Sequence, residues 1–172
     1  MALREAVEAG ARVVNLSLCL RLDPAAAEAF AADPIWDRLE KEDVVVVCAA
    51  GNDAADRDRV PVLPGCLDRP NILMVTATGP SGDLLPNAAV GRRTVHLAAP
   101  GGMLLSSDGA AVPVLVSGTS YAAALVSGAA AAVIADHPEL TASEIVQRLC
   151  RDAENTRAVE GLVRYGHFRW PR

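Results

Sequence analysis

The stretch Asp43-Val-Val-Val-Val-Cys-Ala-Ala50 restricts this chain's fold more than any other. Four consecutive valines do not alternate with polar residues. A strand built from them therefore has both faces covered, as in a parallel sheet flanked by helices. The neighbouring segments fit that frame. Residues 3–8 read as the end of an amphipathic helix stopped by Gly10, and residues 12–18 as a buried, central-looking strand. Residues 25–40 are helical in composition with an interruption at Pro34. Further strands are expected over residues 71–77, 94–98 and 112–116. A small-residue helix is expected over 120–136, and another opens at Thr141 with Glu144 at capping-box distance. The tail from Leu162 reads as a short strand followed by loop. Strands alternating with helices give an α/β fold, a mostly parallel sheet with helices on both faces.

Composition narrows the function classes. Of the 172 residues, 51% are apolar and 22% charged, which is globular and excludes wholesale disorder. A net charge of −5 gives no overall basic field for nucleic acid, and 3% aromatics supply no base-stacking surface. The longest apolar stretch, residues 121–135, is shorter than the roughly 20 residues a membrane helix needs and reads as a buried helix. No secretory signal is visible in residues 1–10, so the default expectation is cytoplasmic. Cys19, Cys48, Cys66 and Cys150 form no C-x-x-C pair, so neither a zinc site nor a disulfide framework is expected, and Cys48 reads as a buried thiol. The excess of arginine over lysine reads as a trace of a GC-rich genome rather than of function.

Three segments carry candidate chemistry. In Val114-Leu-Val-Ser-Gly-Thr-Ser120, an extended segment turns through Gly118 into a helix, placing Ser120 at the helix start. A serine there is either an N-cap or a nucleophile whose developing alkoxide is favoured by the helix terminus. In Ala49-Ala-Gly-Asn52, an asparagine stands at the carboxyl end of the valine strand, where parallel sheets build sites. It is either a turn residue or an oxyanion donor. Asn15-Leu-Ser-Leu-Cys19 stands at another strand end.

Together, in order and spacing, these segments resemble the second half of a subtilisin-like serine protease, a subtilase. Ala11-Arg-Val-Val-Asn-Leu-Ser-Leu18 resembles the family's substrate-binding strand, and Val44-Val-Val-Val-Cys-Ala-Ala-Gly-Asn52 its oxyanion strand. Leu97-Ala-Ala-Pro-Gly101 resembles the loop before the serine, and Gly118-Thr-Ser-Tyr-Ala122 the Gly-Thr-Ser-x-Ala nucleophile motif. Ala135-Asp-His-Pro138 and Thr141 also fit. The resemblance spans residues 2 to about 168 of a single subtilase-like domain over 1–172. It implies peptide-bond hydrolysis, with Ser120 as nucleophile and Asn52 as oxyanion donor. Ser17, Leu18, Cys19, Ala49 and Gly51 would line the substrate site, and the partner would be a peptide or protein substrate. The family often binds calcium, but no convincing acidic ligand cluster is seen, so no cofactor is expected, nor a nucleic-acid or membrane partner.

The family's chain order is Asp, then His, then Ser. Only ten residues precede the substrate-strand match, so the sheet reads as incomplete at its N-terminus. The Asp and His are expected from an upstream segment or a complementary chain. His96, His137 and His167 do not obviously substitute. Cys19 and Leu20 stand where the family favours glycines, and Ala124-Leu125 where it usually has Pro-His. Asp53, Asp56 and Asp58 read as a solvated loop, with no metal site. The alternative function is a non-catalytic subtilase-like module that binds peptides or a protein. An α/β-hydrolase reading would use Ser120, Asp152 and His167 in that order, but Ala122 replaces the second elbow glycine. A nucleotide site is not supported: Gly79-Pro-Ser-Gly82 lacks the strand–loop–helix context of a phosphate cradle.

Overall fold

A computed structural model describes residues 2–107 and 113–171. The elements in chain order are α1 (Ala2–Glu8), β1 (Val13–Leu16), α2 (Pro24–Ala31), α3 (Ile35–Lys41), β2 (Val45–Ala49), β3 (Ile72–Thr78), β4 (Leu97–Pro100), β5 (Leu104–Ser106), β6 (Val114–Val116), α4 (Thr119–Asp136), α5 (Ala142–Arg151) and β7 (Gly166–His167). Five strands form one parallel sheet in the order β1-β2-β3-β4-β7, and β5 and β6 form an antiparallel pair.

The valine strand lies second in the sheet and is buried along its whole length. Its alternate residues feed two cores. Val45, Val47 and Ala49, with Leu73, Val75 and Ala77 of β3, face α4 and α5. Val44, Val46, Cys48 and Ile72 face α1 and α3. Both faces are covered, which is why the run shows no alternation. α4 fits closely on the sheet because its inner face is mostly alanine: Ala122, Ala123, Ala129 and Ala130 are fully buried. Its length and apolarity would also suffice for a membrane span, but this helix is the core helix of the sheet. α5 begins with the expected capping box, Thr141 and Glu144 bonding reciprocally.

Four expectations need correction. β1 is the outermost strand of the sheet among the described residues, and it is not buried as expected: Val13, Val14 and Leu16 are half-buried and Asn15 exposed. The fourth strand begins at Leu97, because the N–H and hydroxyl of Thr94 bond Asp58 instead of a ladder. Val114–Val116 is a strand, but its partner is β5, and Val112 lies outside the described residues. Pro34 does more than interrupt a helix: it stands immediately before α3, whose Ile35 N–H bonds Asp33 Oδ1, and α2 is a separate element that ends at Ala31.

Candidate active site

The carboxyl ends of β1 and β2 and the start of α4 converge at one end of the sheet. The chain leaves β4 into Gly101, whose carbonyl accepts the Gly118 N–H at 2.7 Å. Gly118 has φ +148°, a conformation that only glycine adopts without strain. A Cβ there would stand 3.3 Å from Asn52 Nδ2. The approach of this turn to the loop after β2 therefore depends on the missing side chain.

Thr119, fully buried, joins the two segments in both directions. Its N–H donates to Asn52 Oδ1 at 2.9 Å, and its Oγ1 accepts the Gly51 N–H at 3.1 Å. Because a backbone N–H needs an acceptor, the Asn52 amide is fixed with its oxygen toward Thr119. Its Nδ2 is left as the outward donor. Ser120 follows, half-buried, in the first turn of α4. Its N–H belongs to the helix-start donors that lie outside the i→i−4 ladder. Ser17 lies alongside: its Oγ donates to the Ser120 carbonyl at 3.2 Å and accepts from Asn15 Nδ2 at 3.0 Å.

Cys19 Sγ donates to the Ala49 carbonyl at 3.3 Å and would stand 3.3 Å from a Cβ on Gly51. Ser17, Cys19, Ala49, Gly51, Asn52 and Ser120 are thus brought to one end of the sheet. Leu18 is exposed. Burial pushes the Cys19 thiol up, so it sits there as a neutral thiol.

Arg57 was not foreseen. It is 1% exposed, and its guanidinium lies beneath the loop that carries Asn52. Nε donates to the Ala50 carbonyl at 2.6 Å, Nη1 to the Val60 carbonyl at 3.3 Å, and Nη2 to Asp53. Asp53 also pairs with Arg21. Burial raises the Asp53 carboxyl, but the Arg57 guanidinium, the Ala55 N–H and Arg21 together outweigh it and hold the group below its usual range. The three aspartates of this loop are bonded rather than merely solvated. Asp56 accepts the Asp58 N–H, and Asp58 accepts from the backbone of Arg93 and Thr94. Among the described residues no group of three His, Cys, Asp or Glu side chains is arranged to hold a metal.

The three histidines lie elsewhere. His96 is at the amino end of β4, where its Nδ1 accepts the Met74 N–H at 3.1 Å. His167 bonds Thr78 Oγ1 at 2.9 Å. Thr78 alternates with Ala77, whose side chain faces α4, so this bond lies on the opposite face of the sheet. His137 caps the far end of α4, about 25 Å along the helix from Ser120 at ~1.5 Å per residue.

Comparison with known proteins bears on this arrangement. The chain is 24% identical over 147 residues to Subtilisin-like protease 3 of Plasmodium falciparum (isolate 3D7), covering 76% of this chain and 19% of that protein. It is 29% identical over 199 aligned positions to Mycosin-5 of Mycobacterium tuberculosis (strain ATCC 25618 / H37Rv), covering 96% of this chain and 34% of that one. Among solved structures, the prenylagaramide maturation protease PagA superposes with a TM-score of 0.81 at 22% identity. MycP1 with its N-terminal propeptide removed superposes at 0.74 and 27%. The chain is covered to 98% and 97% in these two, and spans 62% of each solved chain. It spans 19% and 34% of the two curated relatives. With the subtilase family description matching residues 1–167, the chain belongs to the subtilases, a family of serine proteases.

Proposed function

We propose that this chain is the second half of a subtilase catalytic domain and hydrolyses peptide bonds through Ser120. The observation that carries the reading is the reciprocal pairing of Thr119 with Asn52 and Gly51. It leaves Asn52 Nδ2 and the Ser120 N–H as two donors beside one hydroxyl. Ser120 Oγ attacks the scissile carbonyl, and the oxygen that gains charge is received by those two donors. Removal of such a donor costs about 10²–10³ in rate. The substrate runs extended along residues 17–19, with the side chain before the cleaved bond directed at Cys19, Ala49 and Gly51. The general-base His and the Asp that orients it come from a segment outside these 172 residues, either upstream in the same protein or on a complementary chain. The placement of His96, His137 and His167 away from Ser120 supports that assignment. So does the greater length of the solved relatives.

The same placement of the histidines also favours a second reading, a peptide-binding module without catalysis. A fluorophosphonate probe with mass mapping separates the two, using Ser120→Ala as control. The catalytic reading expects slow labelling of Ser120 in this chain alone and fast labelling once a polypeptide with the family's Asp and His is added. Continued silence after that addition leaves the binding module. Labelling that His167→Ala abolishes would carry the Ser–Asp–His order of an α/β-hydrolase instead.

A further inference from the structure

A cavity of about 450 Å³ opens at the other end of the sheet, at the amino ends of β3 and β4. Its walls are residues 65–70, residues 93–96, the outer turns of α5 and residues 164–165. That volume is within the range of small-molecule sites. In a chain of net charge −5, three arginines, Arg69, Arg93 and Arg164, and one acid, Asp68, are among the lining residues. The two thiols in the wall, Cys66 and Cys150, add no negative charge, since burial pushes both up, Cys150 to about 12.

The three arginines are not equally engaged. Arg69 is committed to Asp37 at 2.6 Å and Glu40 at 3.5 Å. Arg93 holds only a 3.6 Å pair with Asp58, its side chain 79% exposed. The Arg164 guanidinium lies over the Tyr165 ring, 5.1 Å from its centroid, and makes no ion pair among the described residues. The Tyr165 ring in turn stacks on His96, with centroids 6.2 Å apart and planes 15° from parallel. Since His96 Nδ1 accepts the Met74 N–H, the neutral ring carries its proton on Nε2. Burial and Arg164 both favour that neutral form. The lining thus includes two arginines with little or no ion pairing, a neutral imidazole and a tyrosine ring.

We propose that this cavity binds a small molecule bearing a phosphate or carboxylate group. The anion is held by Arg164 and Arg93, and the body of the molecule lies against Tyr165. Arginine forks match planar carboxylate and tetrahedral phosphate oxygens in pairs. The inference does not depend on Ser120 being catalytic.

The test is an amide NMR titration of the full chain at low salt with phenyl phosphate, benzoate and inorganic phosphate, against chloride as background. Saturable shifts confined to residues 65–70, 93–96, 143–150 and 164–165 are expected. The tighter of phenyl phosphate and benzoate identifies the headgroup. Arg164→Gln should weaken binding at least tenfold and Arg93→Gln several-fold. Arg92→Gln carries the same charge change one residue away, outside the cavity wall, and should stay within twofold. Both arginine side chains of the site are largely solvent-facing, so their loss leaves the fold intact, as the unperturbed amides will report. Absence of saturation overturns the proposal. So does an Arg92→Gln effect as large as that of Arg164→Gln, which would reduce the binding to net charge.

Discussion

Thr119 offers both a donor and an acceptor to the loop after β2, and removing one should be felt at both ends. Thr119→Val keeps the shape but leaves the buried Gly51 N–H without its acceptor. An orphaned buried donor costs about 1–3 kcal/mol. A matching fall in urea-unfolding stability is expected, together with slower probe labelling of Ser120 in the presence of its complement. Val at 119 with unchanged stability would mean that the Gly51 N–H finds another partner. Arg57 acts on the same loop from below. Arg57→Met keeps the stem but leaves the Ala50 and Val60 carbonyls without their donor and Asp53 with Arg21 and the Ala55 N–H alone. Each hydrogen bond to a charged group is worth about 1.5–3 kcal/mol. Destabilisation of at least about 2 kcal/mol is expected, with partial rescue by Arg57→Lys, since an ammonium reaches some of these acceptors but cannot match a three-way fork. Equal stability of the Met and Lys variants would remove the bonding role and leave only packing. Arg57 was illegible in the sequence because an arginine among aspartates in a turn-rich stretch reads as solvent loop. Nothing local marks its guanidinium as buried. The segments that carry Ser120 and Asn52 could be singled out because their motifs are local, and the structure brings the two segments together through Thr119.

At the scale of elements, legibility followed the same division between local and non-local causes. The four valines of β2 and the capping box of α5 act within their own segments, and both stand where they were expected. β1 has the composition of a buried strand, but how far it is buried depends on what lies beside it rather than on its own residues. The β5–β6 pair depends on one three-residue segment finding another, which no periodicity announces. α4 shows how an element's composition sets its packing distance. Ala130 is fully buried against the sheet, while Ala131 next to it is exposed. Ala130→Leu forces extra methylenes into a close-packed layer and should cost about 1–3 kcal/mol. Ala131→Leu, facing solvent, should stay within about 0.5 kcal/mol. Thermal melts of the two variants are the measurement. Equal melting points would mean that α4 can lift off the sheet without penalty, which the contact of Ala122, Ala123 and Ala130 with the core argues against.

Across the whole molecule, the sheet separates two chemically different ends: an end where the Asn52 loop meets the start of α4, and an end where His96 is held neutral by burial and Arg164. The second has a consequence for stability against pH. Burial, reinforced by Arg164 and only partly opposed by Asp68, lowers His96 from 6.5 to about 4. Between those values the unfolded chain takes up a proton at this ring and the folded chain does not. Stability attributable to His96 is therefore fully present above about pH 6.5 and is lost as pH falls towards 4. At about 1.36 kcal/mol per unit, the ceiling is on the order of 3 kcal/mol. Asp53 and Asp58, both held below the ordinary carboxylate range, contribute stability that is lost only at still lower pH. The two windows are thus separable. Urea unfolding at pH 7, 5.5 and 4.5 should show a decline that His96→Asn largely flattens, since the asparagine oxygen can accept the Met74 N–H without titrating. A decline of equal slope in that variant would assign the acid sensitivity to other groups and leave His96 a bystander.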